Sequence, residues 1–159
     1  MSNELTVNAP EGLPFVDFAR EFDAPVEAVF RAYKDPALYR QWNGPRGYEM
    51  DLQEYDFTSG GRYRFIHRDP DGNEYGFRGV FHKVRDNEFA VQTFEFDGVP
   101  DAVSIEFITF EALPDGRSRV SGHAVYPSLE GRDGIVAMGM EDGMRDSYEK
   151  LEEIATARV

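Results

Sequence analysis

The apolar positions between residues 15 and 42 predict one strand followed by two short helices. Residues 15–22 are rich in apolar side chains, and beyond them the apolar residues step by three or four, as on one face of a helix. Pro25 and Pro36 suit the first turn of a helix, where a missing N–H costs nothing. Asp35 is a suitable N-cap for the second helix, because its carboxylate accepts free backbone N–H groups. The two helices are therefore expected to meet at a corner.

Beyond Pro45 the pattern changes to an alternation of apolar and polar residues, which is typical of strands. This alternation recurs in six segments before Tyr126, and short turn signals separate them. The turn signals are Gly60-Gly61, Asp71-Gly72, Asp86-Asn87, Asp97-Gly98 and Asp115-Gly116. With residues 15–22 included, the pattern predicts seven strands, of which the last six form an antiparallel meander.

From about Glu130 the helical period returns and predicts one long C-terminal helix. Its apolar stripe consists of Val136, Met140, Met144, Ser147, Tyr148, Leu151 and Ala155. A helix over residues 132–157 would be about 39 Å long at ~1.5 Å per residue. It would contain Gly134, Gly139 and Gly143, and each glycine costs roughly 1 kcal/mol relative to alanine inside a helix. Such a helix needs close approach to the sheet or space beneath it.

Together these elements predict an α+β fold of the helix-grip type, with a curved seven-stranded antiparallel sheet, two short helices and one long C-terminal helix. Residues 1–14 show little periodicity and are expected to form an irregular leader, and residues 15–159 a single domain. One helix alone cannot fill the wide end of a sheet that curves around it. The fold therefore predicts a cavity between the C-terminal helix and the sheet.

Composition narrows the range of partners. The 159 residues include 30 acidic and 17 basic ones, which gives a formal net charge of −13. Such a surface repels nucleic acid and anionic membranes, so neither is expected as a partner. There is no cysteine and the 3 histidines lack metal-ligand spacing, so we expect no metal site and no cofactor. An acidic N-terminal segment and the lack of a long apolar run predict a cytoplasmic protein.

Five short motifs, in this order, resemble those of the START-like (SRPBCC, polyketide cyclase-like) superfamily. They are Phe22-Asp23-Ala24-Pro25, Asp35-Pro36-Ala37-Leu38, Gln41-Trp42-Asn43-Gly44-Pro45, Gly60-Gly61-Arg62-Tyr63-Arg64-Phe65 and Gly79-Val80-Phe81. Together with Glu141-Asp142-Gly143, they look like the branch related to the C-terminal domain of the activator of heat-shock protein 90 ATPase. The resemblance covers about residues 15–157 and implies the helix-grip fold.

The resemblance leaves the activity open, because the superfamily includes ligand carriers, cyclases and chaperone activators. One position departs from the family. A Trp often follows the helical glycine in the family, whereas this chain has Met144. Methionine is flexible, so Met144 is expected to soften or enlarge that part of the cavity.

His67 is the candidate for chemistry. Strand alternation places it on the same face as Tyr63 and Phe65, which is expected to be the inner face. A neutral imidazole among aromatic rings could orient a polar group of a ligand or act as a base. The alternative is a core histidine that a backbone carbonyl or a hydroxyl satisfies. His82 and His123 have the opposite parity and are expected on the surface.

The other candidate positions are assigned to the wall of the cavity. An inward Arg20 needs a carboxylate such as Glu54 or Glu95, or a ligand anion, unless its head reaches water past the apolar stem. Trp42 is expected to pack at the helical corner or to form the cavity mouth, and Met140 and Met144 to serve the core or the pocket. The predicted cavity residues are Phe18, Arg20, Trp42, Tyr63, Phe65, His67, Phe77, Phe81, Phe107, Met140 and Met144.

Three functions compete at this stage. The first is a non-enzymatic or weakly catalytic domain that binds a small hydrophobic or aromatic molecule, which the 13 Phe and 8 Tyr favour. The second is a protein-interaction module or chaperone cofactor that uses an acidic face. The third is a cyclase, hydrolase or dehydratase that uses His67. The expected partners are a small hydrophobic molecule and, as alternatives, a chaperone or a second copy of the chain in a homodimer.

Overall fold

Eight antiparallel strands form one open sheet in the computed structural model, which describes residues 3–157. The strands are β1 Thr6–Asn8, β2 Phe15–Phe22, β3 Glu49–Tyr55, β4 Arg62–Arg68, β5 Glu74–Arg85, β6 Phe89–Phe96, β7 Ser104–Leu113 and β8 Arg117–Val125. Their order across the sheet is β1-β2-β8-β7-β6-β5-β4-β3. The last six strands therefore form the predicted meander, and β2 pairs with β8. The α+β fold class of the helix-grip type is confirmed.

The predicted irregular leader contains a strand that the sequence pattern did not reveal. Strand β1 pairs antiparallel with β2, with Val7 opposite Phe18. The sheet therefore has eight strands rather than the predicted seven. Three residues are too few to show a period of two, and the strand forms because the open edge of β2 offers unpaired backbone groups. Residues 1–2 of the predicted leader and residues 158–159 of the predicted domain lie outside the described part of the chain.

Helices α1 (Val26–Lys34) and α2 (Pro36–Trp42) meet at the predicted corner. Between them, the Asp35 carboxylate accepts a hydrogen bond from the backbone N–H of Ala37 at 2.9 Å. Trp42 is 2% exposed, and its Nε1 donates to the carbonyl oxygen of Ala32 at 2.8 Å. One N-cap and one buried indole hydrogen bond therefore stabilise the corner.

The C-terminal segment forms two helices instead of the predicted single one. Helix α3 spans Leu129–Ala137 and helix α4 spans Met140–Thr156. Gly139 separates them with a φ of +87°, a conformation that only glycine adopts readily. Arg132 attaches α3 to the rest of the fold, because its Nη1 donates to the carbonyl oxygens of Pro10 at 2.8 Å and Phe15 at 3.2 Å.

The hydrophobic core fills one end of the inner sheet face, beneath α1 and α4. Its most deeply buried members include Phe22, Val29, Val120 and Leu151. Farther along the sheet, Gly122 on β8 lies opposite Phe18 on β2. A Cβ at Gly122 would lie 1.9 Å from Cζ of Phe18. The Phe18 ring can therefore pack here only because residue 122 has no side chain.

The outer face of the sheet is largely charged. Arg117 forms ion pairs with Glu21 at 2.7 Å and with Asp23 at 3.0 Å. Ile105 and Phe107 are apolar exceptions, with 43% and 38% of their surface exposed. Among residues 3–157, no helix combines the length and the apolar character that crossing a membrane requires.

Candidate functional site

A cavity of about 360 Å³ lies between the inner face of the sheet and the α3–α4 segment. Strands β4 to β7 form its floor, the end of α2 one wall, and the first half of α4 the roof. Met138, at the junction of α3 and α4, lines the cavity and is also 68% exposed. The cavity therefore reaches the surface beside this junction.

Eight of the eleven predicted residues line this cavity. They are Phe18, Trp42, Tyr63, Phe65, His67, Phe77, Met140 and Met144. The alternation along β4 brings its three members to the inner face, and the stripe along α4 brings the two methionines down from the roof. The helical or strand periodicity of the sequence indicated the direction of these side chains, because each residue lies within a regular element.

Phe81 and Phe107 do not line the cavity. Phe81 is 1% exposed and packs in the core, with its ring centroid 4.8 Å from that of Phe57. Phe107 lies on the outer face of β7, while Glu106 and Ile108 point inward. The prediction took the apolar partner of each alternating pair as the inward one. On β7 that assumption fails, because apolar residues stand on both faces.

Arg20 also lies apart from the cavity. It is 7% exposed, and its Nη1 donates to Oε1 of Glu152 on α4 at 2.8 Å. The partners expected from the sequence, Glu54 and Glu95, instead pair with Arg62 and Arg78 on the outer face. The sequence pattern did not reveal the Arg20–Glu152 pair, because Glu152 lies 132 positions away on another element.

His67 is a buried imidazole at the cavity wall, with 7% of its surface exposed. Its Nε2 has no hydrogen-bond partner among residues 3–157 and lies against Gly44, where a Cβ would come within 2.8 Å. Burial lowers the pKa of His67 from 6.5 to about 4, and a hydrogen bond with the Asn43 backbone opposes that shift only in part. The imidazole is therefore neutral at pH 7 and has one uncommitted nitrogen.

We expect this histidine to make the protein less stable in mild acid. Because the pKa of His67 is about 4 in the folded chain and 6.5 ordinarily, the unfolded chain takes up the proton first. Above pH 6.5 the neutral His67 leaves the free energy of unfolding undiminished. Between pH 6.5 and pH 4 that free energy falls by up to about 1.4 kcal/mol per pH unit. Urea unfolding between pH 7.5 and pH 4.5 measures this loss. In H67F the decline should be shallower, whereas the exposed control H82Q should follow the wild type; equal slopes in all three would contradict the prediction.

Glu106 and Gln92 form a polar pair in the cavity that the sequence reasoning missed. Gln92 Nε2 donates to Oε1 of Glu106 at 2.8 Å, between the neighbouring strands β6 and β7. Burial raises the pKa of the Glu106 carboxyl to about 7, and the hydrogen bond from Gln92 opposes the shift. The available signal was the alternation of Ser104, Glu106 and Ile108 with Val103, Ile105 and Phe107, because both sets contain apolar residues and either set can face inward.

Tyrosine hydroxyls supply most of the remaining polar atoms. The hydroxyls of Tyr33 and Tyr148 lie 3.1 Å apart, and Tyr63 donates to the carbonyl oxygen of Thr93 at 2.6 Å. Burial raises the pKa of each of these phenols above its ordinary value, so all three are neutral at pH 7. Tyr39, also in the wall, accepts a hydrogen bond from Asn43 at 2.9 Å. The wall of the cavity is therefore largely aromatic, and its tyrosine hydroxyls are neutral hydrogen-bond donors and acceptors.

The other two histidines lie on the surface, as predicted. His82 is exposed on β5. His123 Nδ1 lies 2.6 Å from a carboxylate oxygen of Asp17, with 42% of its side chain exposed. Within residues 3–157, no three His, Cys, Asp or Glu side chains cluster in a way that could hold a metal ion.

Comparison with known proteins gives one family and a consistent fold. The family model described as "Activator of Hsp90 ATPase homolog 1-like protein" matches residues 23–156. That span includes both short helices, the meander and α4. None of the curated proteins matches the chain.

Similar solved structures share the fold at low sequence identity. A protein of Arthrobacter aurescens is 24% identical with a TM-score of 0.86, over 95% of this chain and 91% of that one. Protein Ms6760 of Mycobacterium smegmatis is 23% identical with a TM-score of 0.85, over 97% and 98% of the two chains. The AHSA1 protein of Silicibacter pomeroyi is 24% identical with a TM-score of 0.71, over 87% and 95%. These likenesses establish the fold alone.

Proposed function

The chain belongs to the family of activator of Hsp90 ATPase homolog 1-like proteins, and we propose that it binds a small apolar or aromatic molecule in the cavity beneath its last helix. The observation that carries this proposal is the cavity of about 360 Å³. Ligand pockets have volumes of about 300–1,000 Å³, so this one suits a compact molecule.

The chemistry of the wall supports a ligand that is mostly apolar with one or two polar groups. Aromatic rings dominate the wall, including those of Phe18, Trp42, Phe65 and Phe77. Ligand pockets are typically lined in this way, with a small number of polar groups that fix orientation. The hydrogen-bonded pair of Gln92 and Glu106 is one such group.

Binding without catalysis is the form we propose. A general base works best when its pKa is close to the pH at which it operates. His67, with a pKa lowered to about 4, is a weak base at neutral pH. This shift argues against the alternative of a cyclase, hydrolase or dehydratase that uses His67 as its base.

The test is to fill the cavity from its roof. Met144 lines the cavity from α4, and tryptophan often stands there in the family, so M144W should fold and occupy the space. We expect its affinity for the neutral fluorescent probe N-phenyl-1-naphthylamine to fall about tenfold or more relative to the wild type, which corresponds to at least ~1.4 kcal/mol. Fluorescence titration measures the dissociation constants.

The matched control adds the same ring outside the cavity. Val136 on α3 is 41% exposed and does not line the cavity. V136W should bind the probe as the wild type does. Equal binding by the wild type and M144W, or no probe binding by the wild type, would refute the proposed site.

A chaperone cofactor is the second candidate. The family description names an activator of an Hsp90 ATPase, and the outer sheet face exposes Ile105 and Phe107 among charged residues. Exposed apolar groups with a polar surround are typical of protein interfaces. Measuring the ATP hydrolysis rate of a purified bacterial Hsp90-type chaperone with and without the chain tests it. An unchanged rate would remove this candidate and leave the ligand-binding proposal intact.

A further inference from the structure

We propose that the molecule held in the cavity is a cation: an apolar or aromatic amine whose ammonium group lies against Glu106. This inference rests on the proposed function and adds to it the chemical class of the ligand. The argument combines the carboxylate, the lack of a resident cation beside it, and the aromatic rings of the wall.

The Glu106 carboxyl faces the cavity with unused acceptor capacity. Its Oε1 accepts from Gln92 Nε2 at 2.8 Å, and no described residue donates a hydrogen bond to Oε2. Oε2 is also not among the fully buried polar atoms that lack a partner, so it is accessible from the cavity that Glu106 lines. A donor brought in by a ligand can therefore reach it.

No cationic side chain of residues 3–157 neutralises this carboxylate. The phenols of Tyr39, Tyr63, Tyr126 and Tyr148 lie close enough to Glu106 for its negative charge to raise their pKa values further. Burial raises the pKa of all four, so they are neutral at pH 7. His67, on the same wall, is neutral as well because burial lowers its pKa to about 4.

The two buried arginines near this region are committed elsewhere. Arg20 pairs with Glu152 at 2.8 Å and Arg132 with Asp133 at 2.7 Å, and neither lines the cavity. A buried carboxylate without a positive partner is costly, and a ligand cation removes that cost when it binds. Glu106 therefore favours positively charged ligands over neutral ones of the same shape.

The aromatic wall favours the same charge. Rings of Tyr39, Trp42, Tyr63, Phe65 and Tyr148 line the cavity. Ammonium groups are attracted to the faces of such rings, and enclosures of aromatic residues recognise alkylated amines in this way. The net charge of −13 adds a long-range attraction for cations.

The experiment compares two ligands that differ in charge and little else. In isothermal titration calorimetry at pH 8, 4-phenylbutylamine should bind the wild type roughly tenfold more tightly than 4-phenylbutanol, which is about the contribution of one hydrogen bond to a charged group. E106Q should lose most of this preference, because it removes the carboxylate that pairs with the ammonium group. E111Q, on the exposed outer side of the same strand, removes the same charge and should keep the preference.

A pH series on the wild type tests the inference without any substitution. The pKa of Glu106 is raised to about 7, so the carboxylate is mostly ionised at pH 8 and mostly protonated at pH 6. An alkylamine stays protonated over this range, since its pKa is about 10. Amine affinity should therefore fall several-fold from pH 8 to pH 6, whereas alcohol affinity should not change.

The outcomes separate the two levels of the proposal. If the alcohol binds and the amine binds no better, the cation inference is wrong and the ligand-binding proposal stands. A preference for the amine that E106Q retains, or that E111Q loses, also overturns the inference, because general surface charge then explains it. If neither compound binds although N-phenyl-1-naphthylamine does, the cation inference fails and the ligand-binding proposal stands.

Discussion

Replacing Gly79 with alanine is expected to lower the free energy of unfolding by about 3 kcal/mol, which is at the upper end of the cost of overpacking. A Cβ at Gly79 on β5 would lie 2.0 Å from the backbone carbonyl oxygen of Thr93 on β6 and 2.6 Å from the ring of Tyr63. Backbone cannot move aside as a flexible side chain can. Strands β5 and β6 must therefore separate locally to admit one methyl group.

The same substitution weakens a second interaction. Tyr63 lies opposite Gly79 in the register of β4 and β5, and its hydroxyl donates to the carbonyl oxygen of Thr93 at 2.6 Å. Moving the ring or the strand lengthens this hydrogen bond, whose loss costs about 1 kcal/mol more. Because Tyr63 also lines the cavity, we expect ligand binding to weaken along with stability.

Urea unfolding of G79A measures the effect, and G134A is its matched control. Gly134 lies in α3, and a Cβ there would meet nothing within 4 Å. This second change should raise the free energy of unfolding by up to about 1 kcal/mol, because alanine is the better helix former. Equal stabilities of the two variants would contradict the account of the clash at Gly79.

Removing the Glu152 carboxylate is expected to cost about 3 kcal/mol, since breaking a buried ion pair leaves an uncompensated charge. Oε1 of Glu152 accepts from Arg20 Nη1 at 2.8 Å, and Oε2 accepts from the backbone N–H of Asp23 at 3.1 Å. Arg20 is 7% exposed and so cannot easily recover hydration once the partner is gone. This pair also links α4 to β2, so its loss should loosen the C-terminal helix.

Thermal and urea unfolding of E152A measure the cost, with E153A as the matched control on the next position of α4. The carboxylate of Glu153 pairs with Arg46 at 2.6 Å but is 63% exposed, and exposed pairs contribute at most about 1 kcal/mol. Replacing both buried partners, as in R20M with E152L, should restore most of the stability, because an apolar pair avoids the desolvation cost. If E152A is as stable as E153A, the buried pair does not have the role assigned to it.

The sequence predicted those parts of the fold that depend on local patterns, such as helix caps and the alternation of residues along a strand. Pro36 and Asp35 marked the beginning of α2, and the structure shows that cap. Alternation along β4 placed Tyr63 and His67 on one inner face, where both line the cavity. Each of these inferences depends on residues within one element, where the helical or strand period alone sets the direction of a side chain.

The candidate site was predicted where the pattern was unambiguous and missed where it was not. On β7, Phe107 is apolar and outward while Glu106 is polar and inward, so hydrophobicity pointed to the wrong face. The error mattered, because Glu106 carries the charge on which the proposed ligand class depends. Which face of a strand is buried depends on the neighbouring strands and helices, and these are distant in sequence.

Long-range geometry also decided the shape of the roof and the edge of the sheet. The apolar stripe predicted one C-terminal helix, yet the chain turns at Gly139, whose φ of +87° ends one helix and begins the next. The stripe does not run on across the break, because Val136, its one member on α3, is 41% exposed, and Ile135 lines the cavity instead. Strand β1 exists only because the edge of β2 is open beside it.

Hydrophobic period, proline and turn residues alone were enough to specify the helix-grip class, the meander and the aromatic inner wall, because these signals act over a few residues. The eighth strand, the break between α3 and α4, the Arg20–Glu152 pair and the inward Glu106 required the assembled chain. Each of them joins groups far apart in sequence, and their energy comes from burial and charge pairing that exist only after the elements have packed.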